Sequence, residues 1–170
     1  MKQNFSAVFI GLILVVLAAF MTTVIAIRKI DAKQGCFGHL ELAANANTVE
    51  LAEKELGTAI NYIEARGWTS GYTSVIYRTE DENVGFWYNN LKNAHEELLS
   101  LNDDSSPLEK TNVLMKLRES LIVNTEHGDA VSKPDGILYY PNNLGWGIYR
   151  AILIILLVVG GVIVFACAED

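Results

Sequence analysis

Two stretches of this 170-residue chain contain no charged residue at all. One runs from Phe5 to Ile27 and is 23 residues long; the other runs from Ala151 to Ala168 and is 18. At the rise of an α-helix they extend roughly 34 and 27 Å, against about 30 Å for the hydrocarbon core of a bilayer. Neither has a polar face with which to meet water, so neither reads as a core helix of a soluble domain. Two transmembrane helices are predicted. The same lack of ionisable groups argues against a proton relay, a charge-selective pore or a transporter site built from this chain alone.

Cysteine is scarce. Cys36 and Cys167 are the two present, and if the spans form a hairpin they fall toward opposite faces of the membrane. No intrachain disulfide framework is expected. A basic surface is lacking too. Residues 28 to 150 hold 12 basic and 18 acidic side chains, so nearly all of the net charge of −7 sits between the spans. That excludes a nucleic-acid binder, which needs cations against phosphate. It also sets this segment against anionic lipid surfaces.

Catalytic motifs are missing. No Gly-rich phosphate loop, nucleophile elbow or paired catalytic motif occurs, so neither an enzyme nor a cofactor is expected. Cys36 and His39 share a helix face in a C-x-x-H spacing, but a structural zinc needs four ligands and no second pair lies near. His95 precedes Glu96 and Glu97, whereas a di-iron helix places Glu three residues before His, where Lys92 stands. His127 lies with Glu126 and Asp129 in a loop, where a metal or acid–base role is the sharper of two readings. The acidic Asn102–Ser106 segment lacks the alternating ligands and the closing Glu of a calcium loop. No metal site is expected.

What is present is architecture. The first apolar run exceeds the usual signal-peptide core of about 7 to 15 residues and has no clear cleavage site before Arg28, so it reads as an uncleaved anchor. Ala7, Gly11, Ala18 and Thr22 lie near one stripe of it, and Gly160 and Gly161 mark the second span. Small residues let helices approach in lipid, where apolar burial gives little. Between the spans, Leu42, Val49, Leu56 and Ile63 repeat every seven residues with Ala52 and Ala59 between them, a narrow coiled-coil-like seam. Gly67 stands at the C-cap position. Thr79 and Glu82 form a capping box ahead of a second helix, with seam residues Val84, Trp87, Tyr88, Leu91, Ala94, Leu98 and Leu101. Ser106, Pro107 and Glu109 start a third, with Leu114, Leu117 and Leu121, ending near Val123. Tyr139, Tyr140, Trp146 and Tyr149 precede the second span, where an interfacial aromatic belt belongs.

The expected fold is therefore all-α, two transmembrane helices flanking a small antiparallel helical bundle. Its parts are a tail at 1–4, a span at 5–27, a juxtamembrane stub at 28–36, a three-helix bundle at 37–123, a return linker at 124–147, a second span at 148–168 and a tail at 169–170. The connection around residues 66–90 is rich in aromatics. Docking on the bundle explains them, since a long polar connection would cost ordering entropy without return. The alternative is a partner or ligand surface at Trp68, Tyr72, Tyr77 and Phe86.

Sidedness has two readings. Cations near the spans place the domain in the cytoplasm by literal count, but the domain exceeds the loop length at which that rule acts. The short Lys-bearing amino-terminal tail favours an extracytoplasmic domain. Function is expected to be that of a membrane-anchored scaffold or assembly protein, acting through protein–protein contacts as a homo-oligomer or a subunit of a larger membrane complex. Its partners are the lipid bilayer, other copies of itself or other subunits. A two-pass receptor-like module that signals through a partner is the alternative, and an oligomeric pore the third.

Overall fold

A computed structural model of the chain describes residues 2–76, 78–102, 104–126 and 128–168, with side chains from Ser6 to Ala166. Tyr77, His127 and the side chain of Cys167 lie outside that set. The chain divides into two units, Met1–Ile30 with Leu144–Asp170, and Asp31–Asn143. It is mostly helical, with α1 (Lys2–Ala32), α2 (Gly38–Ala44), α3 (Val49–Ala65), α4 (Val84–Ser100), α5 (Pro107–Leu121) and α6 (Asn143–Ala168).

The first unit pairs the apolar parts of α1 and α6. Its contacts step in opposite chain directions, Gly11 to Gly160, Met21 to Tyr149 and Arg28 to Trp146, so the two helices run antiparallel. Both glycines sit at the crossing. A Cβ on Gly11 would stand 2.9 Å from Val164 Cγ2 and 3.2 Å from the Gly160 carbonyl oxygen. A Cβ on Gly160 would stand 3.0 Å from Leu14 Cβ. Ala18 is fully buried on the same stripe, and Ala7 is half-buried. Thr22 faces outward, its hydroxyl donating to the Ala18 carbonyl one turn back at 2.9 Å. Gly161 also lies off the seam, with open space where its Cβ would be. One glycine of the pair thus makes the contact, because adjacent residues on a helix point about 100° apart.

In the second unit helical backbone continues from α1 through a π-helical turn, Lys33–Phe37, into α2. Neither Gly35 nor Gly38 interrupts it. The chain breaks between α2 and α3, where Asn45 Nδ2 donates to the Glu41 carbonyl at 2.9 Å and Thr48 Oγ1 accepts the Leu51 amide at 3.3 Å. That break interrupts the seven-residue repeat. Leu42, its first member, is 56% exposed, while Leu40, Ala43 and Ala44 face inward instead. From Val49 onward the seam holds: Val49, Ala52, Leu56, Ala59 and Ile63 are all buried.

Gly67 closes α3 at φ +68, with the Trp68 amide on the Ile63 carbonyl at 2.9 Å and the Gly67 amide on Glu64 at 3.0 Å. This is the Schellman arrangement, in which a left-handed residue satisfies the last carbonyls of the helix. Thr79 and Glu82 do bond to one another, side chain to side chain at 2.9 Å, but they enclose a 3-10 turn. Asn83 takes over as the N-cap of α4, its Oδ1 accepting the Phe86 amide at 3.0 Å. Ser106 caps α5 as its sequence indicates, accepting the Glu109 amide at 3.2 Å.

Between α3 and α4, Tyr88 bonds to Glu64 and His95 lies over Gly57; between α4 and α5, Lys116 bonds to Glu97. Helix α5 stops at Leu121 rather than Val123. The chain then forms a two-stranded antiparallel hairpin, β1 (Ile122–Thr125) and β2 (Gly128–Val131), inside what reads from sequence as the end of the bundle and the return linker. The all-α expectation is corrected by this hairpin. Its physical basis is the β-branched run Ile122–Val123 with Thr125, which gains in an extended pair what it loses in a helix.

Two glycine contacts give direct tests. Gly11→Ile should force α1 and α6 apart and cost about 1–3 kcal/mol of stability in detergent, while Gly161→Ile should leave their pairing unchanged. Thermal unfolding monitored by circular dichroism compares them. In the second unit, a Cβ on Gly35 would be built into the Tyr62 ring. Gly35→Ala should therefore lower the denaturant midpoint, although alanine is the better helix former.

Candidate functional site

The aromatic connection between α3 and α4 divides into an inner and an outer part. Trp68 is 2% exposed. It stacks on Phe37 at 6.3 Å between ring centroids and meets Tyr62 edge-on at 5.7 Å. Tyr62 is held in turn, its hydroxyl donating to Asp31 at 2.5 Å, with Arg66 bonded to the same carboxylate. Burial first, and the bond to Asp31 second, push the Tyr62 phenol up to about 12. The cluster ties the α1 end, the π-turn and α3 together. It is a packing device, the docking reading of this tryptophan.

The outer part faces water. Tyr72 is 37% exposed and Phe86 57%. Tyr72 pairs with Asn83 in an isolated antiparallel bridge, and Arg78 lies 5.4 Å over its ring. Phe86 lies elsewhere, on the wall of a groove of about 610 Å³ formed where the first half of α4 meets the β-hairpin. Trp87 forms part of the floor, and its indole N–H donates to the Ser132 carbonyl at 3.0 Å, pinning the hairpin to α4. Val123, 45% exposed, also lines the groove, as do Glu80, Asp81 and Asp135. The structure thus separates the four aromatic candidates. Trp68 is core, Tyr72 stands on the loop, Phe86 is in the groove, and Tyr77 lies outside the described residues.

The predicted aromatic belt also falls in two places. Trp146 and Tyr149 pair edge-to-face at 5.1 Å on α6, with Arg28 4.7 Å from the Trp146 ring centre and the Tyr149 hydroxyl donating to the Met21 carbonyl at 3.1 Å. Tyr139 and Tyr140 belong to the other unit, where the Tyr140 hydroxyl donates to the Ser70 carbonyl at 2.5 Å.

The C-x-x-H pair is not gathered into a ligand set. Cys36 is completely buried, and burial pushes its thiol up to about 12. His39 Nδ1 instead meets Glu55 Oε2 at 2.6 Å. Among the described residues no group of three or more His, Cys, Asp and Glu side chains is positioned to hold a metal ion. The groove is the part that sequence reading misses. Its signal lies in "IVNTEHGDAV", where two β-prone runs flank a glycine.

Two outcomes follow. Trp68→Ala should cost about 3–5 kcal/mol, as for a large aromatic removed from a packed site. Tyr72→Ala should cost less than about 1 kcal/mol. Chemical denaturation of the two variants separates these roles. The Cys36 thiol is held protonated in the folded state, its pKa raised from 9.0 to about 12. The folded chain therefore keeps a proton that the unfolded chain releases, so stability is full below about pH 9 and falls as the pH rises toward 12. Unfolding midpoints at pH ~8 and ~10.5 measure the fall, and Cys36→Ala should reduce it, leaving the part due to the raised Tyr62 and Tyr88 phenols.

No protein family, curated protein or solved structure matches this chain.

Proposed function

We propose that this chain is a two-pass integral membrane protein. On this reading α1 and α6 cross the bilayer as a pair and Asp31–Asn143 forms a water-facing antiparallel helical bundle. The protein acts as a scaffold or assembly subunit through protein contacts, as a homo-oligomer or within a larger membrane complex. The observation that carries the reading is the outward face of the first unit. Only 11% of the apolar stretch of α1 and 6% of that of α6 are buried, although the two helices pack on each other. A core helix of a soluble protein would be covered; helices solvated by lipid need not be.

Action by contact rather than chemistry draws support from the second unit. Leu108 and Met115 lie seven residues apart on α5, exposed by 70% and 57%. They are two exposed apolar side chains on one helix face, of the kind a protein partner covers. The groove beside Phe86 supports a second reading, a receptor-like module that binds a ligand there and signals through a partner.

The experiment is light scattering of the detergent-solubilised full chain together with identification of co-purifying proteins. The scaffold reading expects a defined oligomer or a stoichiometric partner, disrupted by Met115→Glu. A stable monomer with no partner overturns it. Phe86→Ala addresses the receptor reading, which expects lost ligand binding at unchanged stability.

A further inference from the structure

The β-hairpin has two faces of different character. Its register pairs Val123 with Ala130 and Thr125 with Gly128, and paired residues share a face, as do alternate residues along a strand. The opposite face holds Ile122 and Asp129, with Asp129 bonded to Arg118 of α5 at 3.0 Å. Val123, Thr125 and Ala130 instead line the groove of about 610 Å³, together with Phe86, Trp87 and Leu91 of α4. Phe86 and Val123 are 57% and 45% exposed. The unit's own packing thus leaves an aromatic and a β-branched side chain uncovered on the two elements that meet there. The volume falls within the range of about 300–1,000 Å³ in which a cleft takes one compact group. Such a cleft suits an anchoring side chain with its immediate neighbours rather than the face of a domain.

The charge in this groove is mostly of one sign. Glu80 and Asp81 come from the turn before α4, and Asp135 from the chain that follows the hairpin. None of the three is ion-paired among the described residues. Lys133 is the one cation in the lining among the described residues, and its Nζ lies over the Phe37 ring, 5.3 Å from the centroid. Three carboxylates from two separate stretches of chain therefore line an apolar groove, and the lysine that shares the lining is engaged with an aromatic ring instead. Such a set repels an acidic ligand and gives a neutral one nothing beyond apolar contact. A cation brought beside it is attracted, the more so as water is excluded.

We propose that this groove docks a short segment of another protein in which one apolar side chain, seated against Phe86 and Val123, is flanked by lysine or arginine. The apolar group supplies the hold and the carboxylates the selection. The inference deepens the second reading above and rests on it for the groove as a binding place; it adds the chemistry of what binds.

The test uses the full chain solubilised in detergent and a displayed library of random short peptides. Selection on the wild-type chain is counter-selected on Phe86→Ala in the same detergent, so that only peptides held by the groove are kept. The consensus peptide is then synthesised with a fluorophore and its affinity read by anisotropy. The expected consensus is an apolar residue between lysines or arginines, bound more weakly as salt is raised. Its affinity should fall about tenfold or more in Phe86→Ala, and as much in the combined Glu80→Gln, Asp81→Asn and Asp135→Asn chain. Glu50→Gln, an exposed acid on α3 outside the groove, should leave it unchanged. Unfolding midpoints equal to wild type show that these variants are folded. A Phe86-dependent consensus that is uncharged or acidic, or one indifferent to the three neutralised carboxylates, overturns the cationic partner and leaves the groove as a binding place. No Phe86-dependent peptide at all overturns both.

Discussion

Apolar surface without a protein cover is the constraint on which everything else in this molecule depends. Helices α1 and α6 carry nineteen exposed large apolar side chains among the described residues. At about 1.5–3 kcal/mol for each side chain transferred fully out of water, leaving that surface wet would cost on the order of tens of kcal/mol. That is more than the net stability of a domain, about 5–15 kcal/mol. No rearrangement of one short helix pair can hide both faces. The pairing that does occur is a close approach of backbones at Gly11 and Gly160, the resource that an apolar solvent would leave to it. On the proposed two-pass reading the same constraint bears on function, because helices that carry no ionisable group at depth would provide anchorage and contact.

The second unit solves a different problem by ordinary means. Its core is a set of helical seams, closed by Trp68 against Phe37 and Tyr62, and by Trp87 pinned to the hairpin. Three polar groups close to that core are partnered: the Tyr62 phenol on Asp31, the Trp87 indole on a backbone carbonyl, the His39 imidazole on Glu55. Such bonds add about 0.5–1.5 kcal/mol net, and a buried group left without one costs more. They also fix which way each aromatic faces.

Legibility in the sequence followed the range of the interaction. Signals confined to one turn were readable: the Ser106–Glu109 cap, the left-handed Gly67, the seam from Val49 to Ile63. The break at Asn45–Thr48 was not, because a sustained repeat conceals a short interruption, and Leu42 was carried onto a face it does not share. Thr79 and Glu82 do bond, yet Asn83 is the better-placed cap, and a local pattern cannot choose between two caps four residues apart. The β-hairpin has a local signal in Ile122–Val123 and Thr125, but its docking on α4 runs through Trp87 and Ser132, forty-five residues apart. No window of the sequence contains that contact, and the groove beside Phe86 was invisible with it. Of the small residues, which one makes the helix crossing depended on rotation about α6: Gly160 faces α1 and Gly161 does not.

The most direct measurement is the partition of the full-length chain between water and bilayer. Expressed intact and floated on a density gradient with liposomes, it should rise with the lipid. It should stay there through an alkaline carbonate wash and come off only with detergent. A full-length chain that remains monodisperse in buffer without lipid or detergent would contradict the account.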